Sequence, residues 1–174
     1  PDSTKRICQA DTIRFTVCAT DGDFGDSITL EKCSGNGSFP AKKGVTPVCQ
    51  DYKFYADTCG TYKFCFKATD QCGKVAYDTA VYKVEVHKNA PVVTAPDGAK
   101  FFCGPDTLKF QVCATDVDCT DSVKLEKISG VGTFCVKTGP SPVCCTLKAV
   151  VDTSGTYKFV FKATDECGKI DLDT

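Results

Sequence analysis

The chain has 174 residues, a formal net charge of −1, 14 cysteines and one histidine, with neither methionine nor tryptophan. Lysine and aspartate are interleaved without a basic face, which argues against nucleic-acid binding. No apolar run approaches the ~18 residues of a membrane-spanning segment. This share of cysteine predicts an extracellular or cell-surface protein that folds in an oxidising compartment. With no starting methionine and no signal peptide, we expect a segment of an exported protein.

The chain contains the same sequence twice. Residues Cys8–Thr79 align without a gap with Cys103–Thr174, at a constant offset of 95, and 42 of these 72 positions are identical. A fixed period of this length predicts tandem domains, at residues 1–91 and 92–174. The second copy stops at the counterpart of Thr79, so we expect it to lack most of its last strand.

The first copy shows apolar residues at every second position, as in Ile13, Phe15 and Val17. This period predicts half-buried antiparallel strands with one face in water. We predict seven strands, at residues 3–8, 12–20, 27–33, 38–43, 48–56, 61–69 and 74–86, and at positions 95 higher in the second copy. The predicted fold is all-β, two tandem immunoglobulin-like antiparallel β-sandwiches. The predicted cores contain Phe15, Val17, Leu30, Phe64 and Phe66, and Phe110, Val112, Leu125, Phe159 and Phe161.

Three motifs carry a resemblance to a known group of proteins. They are ATD-x-D before the third strand, GTYKF-x-FKATD-x-CG at the sixth, and KNAPVVTAPD between the copies. Together they resemble the tandem immunoglobulin-like and cadherin-like repeats of large bacterial surface proteins. The resemblance covers both copies, and it implies a stalk, an adhesin shaft, a surface-layer part or a filament subunit.

Aspartates recur at one predicted end of each sandwich, where the turn after the second strand meets the end of the sixth. They are Asp21, Asp23, Asp26 and Asp70, repeated as Asp116, Asp118, Asp121 and Asp165. Converging carboxylates could hold Ca²⁺; aspartate in a turn also caps backbone N–H groups, which is the alternative. In cadherins, similar residues bind calcium with an acidic linker, whereas here His87 and Lys88 stand in that linker.

The cysteines favour disulfides over zinc, because no C-x-x-C pair occurs and His87 is the only histidine. Cys33 and Cys65 are replaced by Ile128 and Val160 in the second copy, which predicts a disulfide between neighbouring strands. We also predict the pairs Cys18–Cys49 and Cys113–Cys144. The pairing of the others stays open: Cys8, Cys59, Cys72, Cys103, Cys119, Cys135, Cys145 and Cys167.

Each copy has seven cysteines, an odd number. If every thiol is oxidised, at least one cysteine per copy must bond outside its own copy. The alternative is one buried free thiol in each copy.

Other candidate sites are few. Asn36-Gly37-Ser38 is a glycosylation sequon, although Asn-Gly is also an ordinary hairpin turn. His87 lacks a neighbouring nucleophile pattern, so we expect no catalytic role for it and no enzyme activity in the chain.

These observations predict a structural repeat of an extracellular, disulfide-stabilised filament, fibre or cell-surface stalk. The alternative is an adhesin or an accessory binding module of a secreted multidomain protein. No cofactor is required, Ca²⁺ being the one candidate. The expected partners are copies of the chain or flanking repeats, head to tail, joined by disulfides or by strand complementation, with no nucleic acid and no membrane insertion. The missing strand would follow in a longer array or be donated by a neighbour.

Overall fold

The computed structural model describes residues 2–23 and 25–174. Within this part of the chain every regular element is a strand, and there is no helix with the length and hydropathy to cross a membrane. The chain divides into two compact units between Val86 and His87. The division lies five residues before the expected one, so the segment from His87 to Pro91 belongs to the second unit.

The first unit contains seven strands, and apolar residues alternate along the long ones. They are β1 (Ser3–Ile7), β2 (Asp11–Ala19), β3 (Ser27–Ser34), β4 (Lys42–Val45), β5 (Val48–Ala56), β6 (Gly60–Thr69) and β7 (Val75–Val86). One sheet has the order β1-β7-β6-β3-β4, and β2 pairs with β5 in the other. Strand β1 runs parallel to β7, and the remaining pairs are antiparallel. This topology confirms the immunoglobulin-like sandwich.

The second unit repeats much of this arrangement, with shorter counterparts of β6 and β7. They are β8 (Val92–Thr94), β9 (Asp106–Thr115), β10 (Ser122–Ser129), β11 (Lys137–Pro140), β12 (Val143–Val151), β13 (Val160–Thr164) and β14 (Ile170–Asp173). One sheet has the order β11-β10-β13-β14 and the other β12-β9-β8. The first strand of this unit, β8, therefore pairs with β9, whereas β1 of the first unit pairs with β7 in the other sheet.

Several predicted elements differ from the structure; in the second unit the sixth strand, expected at residues 156–164, begins only at Val160. The fourth strand was expected at residues 38–43, but β4 begins at Lys42 and pairs with β3. Ser38 first forms an isolated bridge with Lys53 of β5, so residues 38–41 pass between the two sheets before pairing begins. In the second unit, no strand forms at residues 98–103. The counterpart of this segment in the first unit is β1, which pairs with residues Tyr82–Val86 of β7. Strand β14 corresponds only to the beginning of β7, so the described part of the second unit has no equivalent of Tyr82–Val86 in its last strand.

Each unit has its own core. In the first, Leu30, Phe64 and Phe66 are buried and Phe15 and Val17 are half-buried against them. In the second, the predicted residues Val112, Leu125, Phe159 and Phe161 are buried, and Phe110 is half-buried. The aromatic residues Tyr52 and Phe54 of the first core correspond to Leu147 and Ala149, so the second core is built from smaller side chains.

Candidate functional site

In the first unit the aspartates of the β2–β3 turn come together at one end of the sandwich. One carboxylate oxygen from each of Asp21, Asp23 and Asp26 lies within 4.8 Å of the others. Desolvation raises the pKa of Asp26, and the negative charges of Asp21, Asp23 and Asp70 raise it further. A cation would relieve this repulsion.

Backbone capping also occurs at these residues. Asp21 Oδ1 accepts a hydrogen bond from the Asp23 N–H at 2.9 Å. Asp70 Oδ1 accepts one from the Lys74 N–H at 2.8 Å. Asp26 accepts a hydrogen bond from the side-chain amide of Gln71. Both readings of the aspartates thus have structural support in the first unit, and calcium binding stays a prediction.

The second unit repeats this end with deeper burial. Asp116, Asp118 and Asp121 gather within the same 4.8 Å. Desolvation raises the pKa of Asp116, and the nearby carboxylates of Asp118, Asp121 and Asp165 raise it further. Oδ1 of Asp116 caps the Asp118 N–H at 2.8 Å, and Oδ1 of Asp165 caps the Lys169 N–H at 2.7 Å. The Oδ2 atoms of Asp116, Asp121 and Asp165 are buried without a hydrogen bond from any described residue.

The segment between the copies is part of this end of the second unit. The Asn89 N–H and side-chain amide donate to the two carboxylate oxygens of Asp118, at 2.7 and 2.5 Å. The His87 side chain is fully buried, with Nδ1 3.1 Å from Asp121 Oδ2. Sequence analysis missed both contacts, although the KNAP motif between the two copies was the available signal.

The structure contains the two strand-to-strand disulfides that we predicted. Cys18 is bonded to Cys49 and Cys113 to Cys144, with Cα atoms 4.1 Å apart in each pair. A further disulfide joins Cys135 to Cys145. Cys8, Cys59, Cys119 and Cys167 are also disulfide-bonded. Disulfides of this density are typical of a protein that folds in an oxidising environment.

The predicted bond between Cys33 and Cys65 differs from the structure, in which both are thiols. Cys33 lies in a β-bulge, because the register of β3 against β6 shifts between Lys32 and Ser34. The two thiols are nevertheless neighbours: desolvation raises the pKa of Cys33 to about 11, helped by a hydrogen bond with Cys65. Cys72 and Cys103 are exposed thiols.

The predicted sequon lies in a tight, exposed turn. Asn36 is exposed, and Gly37 has a φ of +88°. A Cβ atom on Gly37 would come within 2.4 Å of the Lys53 carbonyl oxygen, so only glycine fits there. Lys32 Nζ donates to the Gly35 and Gly37 carbonyls across the turn. Asn36 is thus accessible, and its glycosylation stays a prediction.

An open apolar groove distinguishes the second unit from the first. Its volume is about 590 Å³, and Leu108, Phe110, Tyr157, Phe159 and Phe161 contribute to its lining. In the first unit, the corresponding space beside Phe15 is filled by β7, whose Tyr82 stacks on Phe15 with ring centroids 4.9 Å apart.

The groove also has an unpaired edge. Residues 156–159 are not in a strand, whereas their counterparts Thr61–Phe64 pair with Ala80–Lys83 of β7. Apolar side chains and backbone hydrogen-bonding groups thus lie side by side there.

No protein-family model matches the chain, and no curated protein matches it. Among solved structures, it is similar to the adhesin InvE of Yersinia pseudotuberculosis, at 14% identity and a TM-score of 0.38 over 98% of this chain and 55% of the adhesin. The chain thus spans about half of that protein. It is also similar to the IG1+IG2 part of DIP-gamma, at 10% identity and a TM-score of 0.37, covering 99% and 90% of the two chains.

A third similar structure is that of the fibronectin(III)-like modules of Clostridium thermocellum CbhA. The identity is 15% and the TM-score 0.30, over 98% of this chain and 85% of that one. Likenesses this distant say nothing about function.

Proposed function

We propose that the chain is a structural repeat of an extracellular, disulfide-stabilised filament, fibre or stalk, and that its second unit is completed by a strand that follows in a longer array or is donated by a neighbouring repeat. The role is mechanical rather than catalytic. Strand ladders resist extension, and cross-links such as Cys18–Cys49 limit how far a unit can unravel.

The open groove is the observation that carries this proposal. Immunoglobulin-like sheets seldom leave a long edge and core side chains uncovered, because the edge recruits another strand. The first unit supplies the template for the occupant, since Ala80, Tyr82 and Val84 of β7 are buried at 1%, 7% and 1% exposure. A strand with this alternation would cover Phe110 and pair with residues 156–159. Strand addition of this kind joins subunits in series.

A peptide with the sequence Thr79–Val86 tests the proposal on the full chain. We expect it to bind the second unit and to slow backbone hydrogen exchange at residues 156–159. The counterparts Thr61–Phe64, already paired with β7, should be protected with or without the peptide. A control peptide with Tyr82→Ser and Val84→Ser keeps the backbone donors and loses the apolar face, so it should bind far more weakly.

Two results would contradict the proposal. One is equal protection of residues 156–159 and 61–64 in the isolated monomer, because the edge would then need no partner. The other is equal binding of the two peptides. Electron microscopy of the native assembly separates the proposed role from that of a binding module, since only the former requires periodic fibres.

A further inference from the structure

A second cluster lies beside the acidic turns of the second unit and contains nitrogen as well as oxygen. His87 precedes β8, Asp121 precedes β10, and Glu166 lies in the turn between β13 and β14. One ligand atom from each of these three residues lies within 4.8 Å of the other two. Residues far apart in the chain therefore converge on one point of a single unit.

Two of these side chains are buried, and one of their polar atoms has no partner among the described residues. His87 and Asp121 have fully buried side chains, and Nδ1 lies 3.1 Å from Oδ2. These two atoms contact each other, whereas Nε2 of His87 is also buried and has no hydrogen-bond partner in the described part of the chain. The other oxygen of Asp121 accepts from the Ser122 and Glu166 N–H groups, at 2.7 and 3.4 Å, which leaves Oδ2 facing the imidazole. Buried polar atoms in a native protein normally have partners.

In the first copy, the corresponding aspartate has a hydrogen-bond partner although no histidine is present. The counterparts of Asp121 and Glu166 are Asp26 and Gln71. There, the Gln71 amide donates a hydrogen bond to the Asp26 carboxylate. A glutamate carboxylate is an acceptor only, so Glu166 cannot replace that contact. The second unit thus combines two carboxylates with the only histidine of the chain.

We propose that His87, Asp121 and Glu166 bind a divalent transition-metal ion of the Zn²⁺ class. Imidazole nitrogen and carboxylate oxygen bind Zn²⁺ at about 2.0–2.2 Å, and two such ligands at about 90–110° lie about 3–3.5 Å apart. The 3.1 Å between Nδ1 and Oδ2 fits this spacing. The exposed position of Glu166 leaves the ion a route of entry, and water completes the coordination.

The histidine distinguishes this site from the calcium candidate of the acidic turns. Ca²⁺ takes six to eight oxygen ligands, whereas imidazole selects zinc, copper, nickel or iron. A bound ion would fasten the segment that begins at His87 to the two turns that carry Asp121 and Glu166.

The test uses the full chain with its four thiols removed, because thiols also bind Zn²⁺. The substitutions are Cys33→Ser, Cys65→Ser, Cys72→Ser and Cys103→Ser. Zn²⁺ is titrated by calorimetry, and the imidazole signals are followed by ¹H–¹⁵N NMR, where one histidine gives one unambiguous set. Glu166→Gln is the decisive variant, since it recreates the amide–carboxylate contact of the first unit and leaves folding intact. Gln71→Glu is the matched control in the first unit.

We expect one Zn²⁺ per chain, a large shift of the His87 ring nitrogens, and at least about tenfold weaker binding in Glu166→Gln. Gln71→Glu should leave the stoichiometry at one, because the first unit has no histidine. The proposal is overturned if His87 does not shift at excess Zn²⁺, or if Glu166→Gln binds as the parent does. Displacement of Zn²⁺ by Ca²⁺ at comparable concentration would also overturn it, since that result indicates an oxygen-only site.

Discussion

Tyr52 buries its hydroxyl group in the aromatic core of the first unit. Its ring lies 4.9 Å from that of Phe64 and 5.1 Å from that of Phe15, and its exposure is 1%. The hydroxyl has no hydrogen-bond partner among the described residues. Desolvation therefore raises the pKa of Tyr52 to about 12. The second copy has Leu147 at this position, which is fully buried without a polar group.

Replacing Tyr52 by phenylalanine should not destabilise the first unit. Removing an unpartnered buried hydroxyl should leave the free energy of unfolding unchanged or raise it by about 1 kcal/mol. Chemical denaturation of Tyr52→Phe measures this. Tyr62→Phe is the control, because the Tyr62 hydroxyl donates to the Thr58 carbonyl at 2.9 Å, and its loss should cost about 1 kcal/mol. Equal losses in both variants would show that Tyr52 has a polar partner.

Glu85 connects strands at the edge of the first unit. Its Oε1 lies 3.0 Å from Lys83 Nζ on the same strand, β7, and its Oε2 lies 3.3 Å from Arg6 Nη2 on β1. The hydrogen bond from Lys83, followed by that from Arg6, lowers the pKa of Glu85 below its ordinary value of 4.5. The ion pair thus supports the parallel pairing of β1 with β7.

Because the pKa of Glu85 is lower in the folded state, its stabilising effect is complete above the unfolded value of about 4.5 and is lost as the pH falls through the folded value. Glu85→Gln should therefore lower the stability of the first unit at pH 7 and flatten its decline below pH 4.5. Arg6 is half exposed, so solvent screening keeps the loss below about 1 kcal/mol. Denaturation curves between pH 2 and 7 measure it. An unchanged acid profile would exclude Glu85 as a contributor.

Strand β7, which carries Glu85, also accounts for the difference in strand pairing between the two units. In the first, β7 pairs with β6 along ten residues of that strand and also holds β1. In the second, β14 pairs with four residues of β13, and Phe101 in the segment corresponding to β1 is 97% exposed. Strand β7 thus pairs with both β6 and β1. The shorter β14 pairs with only part of the strand that corresponds to β6 and, among the described residues, with no strand that corresponds to β1.

At the scale of the whole molecule, all 14 cysteines lie in the described part of the chain. Four are thiols, and Cys33 and Cys65 are neighbours that could form one more disulfide. Cys72 in the first unit and Cys103 in the second would then remain, both exposed. Bonding of at least one cysteine per copy outside its own copy stays a prediction, and Cys72 and Cys103 are the candidates.

Oxidation of the purified chain should therefore produce a ladder of covalent multimers through bonds between Cys72 of one chain and Cys103 of another. A heterologous, head-to-tail contact can extend indefinitely, whereas a bond between identical cysteines stops at a dimer. Non-reducing electrophoresis measures the ladder, and Cys72→Ser or Cys103→Ser alone should abolish it. Cys33→Ser with Cys65→Ser is the control and should leave the ladder intact. Multimers that persist in the Cys72→Ser, Cys103→Ser double variant would refute this linkage.

Local patterns were sufficient to predict most strands. The alternation through Ile13, Phe15 and Val17 places β2 within one residue of its observed bounds, and the strand predicted at 48–56 is found there. Adding the constant offset of 95 residues to these positions also predicts β9 and β12. Alternation depends only on which face of a strand meets the core, and this preference is visible in neighbouring residues. The all-β, immunoglobulin-like class was therefore determined by the sequence alone.

Contacts between distant residues were decided only by the tertiary structure. Cys33 and Cys65 were correctly placed on neighbouring strands, yet the bulge in β3 shifts their register. In the sequence His87 lies in the segment between the copies, and folding places it against Asp121. The groove beside Phe110 lies where β14 covers less of the core than its counterpart β7 does. Such features depend on how strands pair and pack across the chain, which the alternation within any one strand does not encode.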